Sequence, residues 1–84
     1  MVTYVLPTER EVRAGFVCGR SVGGAVVRNR ARRQIKEAWR TLRPKAQGTF
    51  DVVFVARPEV RGAKAQDLME EMSRALTELG AITT

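Results

Sequence analysis

The sequence predicts a small α+β domain, a two-layer sandwich with its elements in the order β-β-α-β-α. Three observations carry that reading. The chain has 84 residues, 44% hydrophobic and 29% charged, a globular balance in a length that supports one core, so residues 1–84 read as a single domain. Three short β-prone runs are bounded by turn residues. Two longer segments space their apolar residues three and four apart, as helices with one buried face do.

Val2–Leu6 (Val-Thr-Tyr-Val-Leu) is the first strand and stops at Pro7. After polar Thr8 to Glu11, Val12–Cys18 forms the second, with Val12, Ala14, Phe16 and Cys18 on one face and Arg13 on the other. The short connection between them reads as a hairpin. Gly19-Arg20-Ser21-Val22-Gly23-Gly24 then turns the chain from extended to helical. In the helix expected over Gly24–Arg43, the residues Val27, Ala31, Ile35, Ala38, Trp39 and Leu42 fall within an arc of about 120°. Pro44 ends it, because proline disfavours helical geometry in the residue before it and donates no backbone hydrogen bond. Phe50–Ala56 is apolar almost throughout, which suggests a central strand covered on both faces. A last helix runs from about residue 63 to residue 79, with Ala65, Leu68, Met69, Met72, Ala75, Leu76 and Leu79 inward and Gly80 as its stop.

Charge separates the chain into two parts. Overall it carries 15 Lys and Arg against 9 Asp and Glu, a net charge of +6. Between Arg20 and Lys45 there are nine bases and one acid, Glu37, whereas the remaining 58 residues hold six bases and eight acids. The excess is one patch, the electrostatic footprint of a polyanion partner. Arg28, Arg32, Lys36 and Arg40 follow one another at four-residue spacing beside the apolar stripe, flanked by Asn29, Arg33 and Arg43. Like charges so placed destabilise a helix by a few tenths of a kcal/mol per pair. A merely solvated face would not keep such a row, whereas guanidinium groups at this spacing can follow phosphates through bidentate bonds. Asn29 adds an amide able to read a base edge or a 2′-hydroxyl. A basic amphipathic helix can also lie on a membrane, but here the apolar stripe is needed for the chain's own core.

Other chemistry is poorly served. Histidine is absent and cysteine occurs once, at Cys18, which removes the usual zinc sites, His-activated nucleophiles and disulfides, and suits a reducing, cytoplasmic setting. No apolar run approaches membrane-spanning length. Asp51 and Glu59 flank a strand and can in principle hold Mg²⁺ in a stand-alone nuclease, yet two acids are more simply solvated or capping groups. Trp39, Met69 and Met72 sit at helical spacing and read as core.

The run Val22-Gly23-Gly24-Ala25-Val26-Val27-Arg28-Asn29-Arg30-Ala31-Arg32-Arg33-Gln34-Ile35-Lys36-Glu37-Ala38-Trp39-Arg40 resembles the protein component of bacterial ribonuclease P. That family is marked by an Arg-Asn-Arg helix preceded by Val-Gly-x-Ala-Val. Arg13-Ala14-Gly15-Phe16 resembles its Arg-x-Gly strand, and Val52 to Pro58 its last strand, so the likeness spans essentially the whole chain. Two features depart from it. The family's N-terminal helix and first strand have no counterpart before Val2, and its Ser-Lys-Lys appears as Gly19-Arg20-Ser21.

The resemblance implies a ribonuclease P protein-like fold with a left-handed β-α-β crossover, although chirality alone favours a right-handed one. It implies a subunit of a ribonucleoprotein endonuclease that removes 5′ leaders from precursor tRNA, with catalysis and Mg²⁺ belonging to the RNA subunit and its substrate. Contact with that catalytic RNA is then expected from Arg20, Arg28, Asn29, Arg30, Arg32, Arg33, Lys36 and Arg40. Tyr4, Arg13 and Phe16 are expected to face the leader. Without the two N-terminal elements, apolar sheet surface is exposed, and self-association is one way to cover it. The competing reading is a structural RNA binder of ribosomal-protein type with no part in cleavage.

Overall fold

A computed structural model describes residues 1–83. Strand β1 (Val2–Pro7) and strand β2 (Arg13–Cys18) are followed by helix α1 (Ala25–Leu42), strand β3 (Phe50–Ala56) and helix α2 (Ala65–Glu78). Single 3₁₀ turns at Arg20–Val22, Arg43–Lys45 and Pro58–Gly62 join them. This is the β-β-α-β-α order the sequence predicts, within a residue or two at each helix end.

The strands lie in the order β1-β3-β2. The central strand is antiparallel to β1, pairing Tyr4 with Val53, and parallel to β2, pairing Phe16 with Phe54. The expected hairpin between β1 and β2 does not form, because β3 lies between them. The chemistry of the turn explains this: residues 8–11 contain no Gly or Asn to supply the positive φ of a tight hairpin. The five residues from Thr8 to Val12 instead span the two inter-strand steps, about 10 Å, that crossing a third strand requires. Thr8 ties this crossing to the start of β3, donating its amide to the Thr49 carbonyl at 3.2 Å. Because β2 and β3 are parallel neighbours, α1 is their crossover helix.

Both helices cover one face of the sheet. Phe50, Val52, Phe54 and Ala56 point to them and are buried, while Asp51, Val53 and Val55 alternate to the other side and are only half-buried. The expectation of a central strand covered on both faces is therefore corrected: β3 is central in order but has one helix-covered face. Its outward valines reflect sheet propensity and lateral packing between two neighbours rather than a second layer.

Phe54 sits at the middle of the core, its ring stacked 5.9 Å from Phe16 and tilted against Trp39 at 5.7 Å. From α1, Ala31, Ile35, Ala38, Trp39 and Leu42 are buried as the stripe predicts, with Val27 left at its exposed end. In α2, Leu68, Met72 and Leu76 form the buried line, while Ala65 and Leu79 turn outward at the two ends. Ala81 and Ile82 fold back beneath the helix, with Ala46 and Ile82 forming a bridge. The return starts at Gly80, whose φ of 75° is the left-handed conformation that ends helices. Gly23 is the other glycine the fold requires. Its φ is 150°, and a Cβ there would lie 3.0 Å from a Val27 methyl group.

Candidate nucleic-acid interface

Helix α1 carries its buried stripe and its basic row on adjacent flanks, since both follow from one 3.6-residue period. Arg30, Arg33, Lys36 and Arg40 are exposed, and Arg28 and Arg32 are half-buried where the row meets the core. Arg20 is exposed in the 3₁₀ turn that feeds the helix. Arg40 alone among the described residues on this flank has an acidic partner, Glu37 at 3.5 Å. Among the described residues, Arg20, Arg28, Arg30, Arg32, Arg33 and Lys36 have no carboxylate within ion-pair distance. The Arg28 Nε is buried with no hydrogen-bond partner. Arg32 donates through Nη1 to the Asn29 Oδ1 at 3.2 Å, which leaves the Asn29 amide N–H groups to donate outward. The first turn of α1 has Gly24 at its cap, no capping side chain and no acid. Its free backbone N–H groups thus add to the same positive potential.

Lys36 also links the row to the sheet, its Nζ lying 5.8 Å from the centre of the Phe16 ring. Phe16 is in register with Phe54, so it belongs to the helix-covered face of β2. Tyr4 and Arg13 lie on the opposite face. The three residues expected to face a leader are therefore not brought together: Tyr4 and Arg13 share a surface, and Phe16 supports the core beneath the basic row.

That opposite face is open. Tyr4 is 59% exposed, Leu6 65% and Val17 49%, and at its edge Arg10 and Arg13 both bond to Asp51. Sequence reading missed Arg10 and the Asp51 link, although the strict alternation of β3 already places Asp51 beside Val53 and Val55. Asp51 and Glu59, considered together above as metal ligands, are engaged separately: Glu59 accepts from the Met1 amine at 2.7 Å, and Glu71 accepts from it at 3.1 Å. No group of three or more His, Cys, Asp or Glu side chains among the described residues can hold a metal ion. No helix there is long and apolar enough to cross a membrane.

Two of these carboxyls titrate low. Hydrogen bonds from Arg13 hold Asp51 below its ordinary 3.8, and the Met1 amine together with backbone hydrogen bonding holds Glu59 below 4.5. A carboxyl depressed in the folded state contributes stability above its unfolded pKa and loses it as pH falls through the folded value. The urea midpoint should therefore drop on acidification from about pH 5 to about pH 3. Asp51→Asn should flatten that limb, and an unchanged limb would show that the Arg13 pair is not held in solution.

The molecule is thus a two-layer α+β sandwich whose crossover helix carries a row of arginines answered by a single acid, Glu37. The family model for ribonuclease P matches residues 1–80. The chain is 42% identical over 80 residues to the ribonuclease P protein component of Chloroflexus aurantiacus, covering 93% of this chain and 59% of that protein. It is 43% identical over 82 residues to the same component of Chloroflexus aggregans, covering 95% and 61%. The fold is that of the Staphylococcus aureus RNase P protein, with a TM-score of 0.83 at 18% identity over 96% of this chain and 75% of that one. The chain belongs to the ribonuclease P protein family. It spans about 59% of the length of the first of these relatives.

Proposed function

We propose that this chain acts as the protein subunit of ribonuclease P, binding the catalytic RNA through α1 and supporting endonucleolytic removal of 5′ leaders from precursor tRNA. The observation that carries the proposal is the row of cations on one flank of α1 with a single acid to answer them. Each phosphate they neutralise releases condensed counterions, so binding is strong at low salt and falls steeply as salt rises. The same row lowers the repulsion between a catalytic RNA and an RNA substrate, two polyanions that must approach closely. Asn29, braced by Arg32, supplies the neutral contact to a base edge or 2′-hydroxyl.

In this reading the chemical step belongs to the RNA subunit, with Mg²⁺ held by that RNA and the substrate. The side chains of this chain bind and orient. Tyr4 offers a base a stacking surface on the open face, an interaction worth about 1–3 kcal/mol per base, and Arg13 offers a guanidinium beside it.

The test is cleavage of precursor tRNA by a bacterial ribonuclease P RNA at low Mg²⁺, with and without this chain. Stimulation is the expected result. Salt-dependent binding with no change in cleavage would overturn the proposal in favour of a structural RNA binder.

A further inference from the structure

The cations spaced four apart on α1 are each restrained in a different way. Arg28 is half-buried, Arg32 is tied to the Asn29 Oδ1, and Arg40 is paired with Glu37. Lys36 is exposed and, among the described residues, has no carboxylate within ion-pair distance. Its restraint is an aromatic ring. The Nζ lies 5.8 Å from the centre of the Phe16 ring, within the about 6 Å over which a ring quadrupole attracts a cation. Lys36 is also the one lysine in that series of arginines. Its charge sits on a flexible four-carbon stem, so more freedom is lost for each contact it makes than for a planar guanidinium.

The ring that meets it is itself fixed. Phe16 belongs to the edge strand β2 and stacks on Phe54, which packs in turn against Trp39 of α1. Trp39 and Lys36 stand three residues apart, neighbours on one side of the helix. The path from Trp39 through Phe54 and Phe16 to Lys36 therefore leaves α1 and returns to it one turn away. Phe16 is only half-buried, and an aliphatic side chain would meet most of the packing need there. What an aliphatic side chain lacks is the negative π face that holds a cation.

We infer that Phe16 is a positioning residue for RNA binding, its ring holding the Lys36 ammonium in place before the RNA arrives. The lysine then meets a phosphate with its stem already ordered, and less of that ordering cost falls on the binding step. A ring also leaves the charge intact. A carboxylate at the same place would hold Lys36 equally well but would cancel its charge, whereas above a ring its N–H donors remain available to a phosphate. The inference rests on the proposed function, in that α1 binds the catalytic RNA.

The experiment is a double-mutant cycle, read as the affinity of the chain for a bacterial ribonuclease P RNA at moderate salt. Phe16→Leu should weaken binding about threefold, and Phe16→Tyr, which keeps the ring, should bind as the wild type does. With Lys36→Met already in place, Phe16→Leu should have no further effect. In NMR spectra of the free chain, the Lys36 protons next to the ammonium should carry an upfield ring-current shift. Phe16→Leu should abolish that shift and Phe16→Tyr should retain it. A merely structural role would give the same loss of affinity with or without Lys36, together with a lower urea midpoint, and would overturn the inference alone. Absence of the ring-current shift from the wild-type chain would do the same. If Lys36→Met binds as tightly as the wild type, the inference falls together with the part that the proposed function gives to Lys36.

Discussion

Phe54→Ala should remove most of the stability of this chain. Phe54 is fully buried at the centre of β3, stacked on Phe16 from β2 and packed at a tilt against Trp39 from α1. Truncating a buried phenylalanine costs about 3–5 kcal/mol, made up of lost transfer free energy and the cavity left behind. A domain of this size has about 4–12 kcal/mol in total, and its small core places it toward the lower end. The site is also a poor one for collapse, because its ring neighbours Phe16 and Trp39 belong to two other elements, β2 and α1. Urea unfolding followed by circular dichroism should show the midpoint lowered by about 3 M, with a slope near 1 kcal/mol per M. Val53→Ala is the control one residue away. Val53 points to the open face and is half-buried, so its truncation should cost about 1 kcal/mol or less. Equal losses at the two positions would mean that the alternation along β3 does not separate core from surface as described.

The contrast between those neighbours also shows where sequence reading succeeds. Helix α1 is legible because its buried stripe, its basic row and its proline stop all follow from a single local period. Gly80 is legible for the same reason, as a residue whose conformational freedom suits one position. Alternation within β2 correctly set Phe16 apart from Arg13. Relating Phe16 to Tyr4 is another matter, because it depends on how two strands that never touch are registered against a third. The same non-local fact hid the true neighbour of β1, and it hid the Arg10–Asp51–Arg13 cluster, whose members are 38 and 41 residues apart in pairs. Ala81 and Ile82 were missed because a chain that reverses after a helix stop can return to the core or leave it, and only tertiary packing decides. The apolar character of β3 misled in one respect. Valine serves a strand that is paired on both edges as well as one that is covered on both faces.

The basic row invites a test in which stability and affinity move in opposite directions. In the triple variant Arg30→Ala, Arg33→Ala, Lys36→Ala the helix loses like-charge repulsion at three- and four-residue spacing, about a few tenths of a kcal/mol per pair, and gains the best helix former at three positions. All three side chains are exposed, so little packing is lost, and the urea midpoint should hold or rise. Binding to the catalytic RNA should weaken roughly a hundredfold at moderate salt, taking about 1 kcal/mol for each charged contact. The slope of log K against log salt should shrink by about 2–3, since each phosphate contact contributes about 0.7–0.9. Arg28 and Arg32 are left in place because their half-buried side chains would confound packing with charge. A second triple, Arg57→Ala, Arg61→Ala, Lys64→Ala, removes the same formal charge from an exposed region beyond β3. If affinity depends on the row, the first triple binds far more weakly than the second. Equal losses would mean that the RNA responds to net charge alone, and the geometry of α1 would then have no special part in binding.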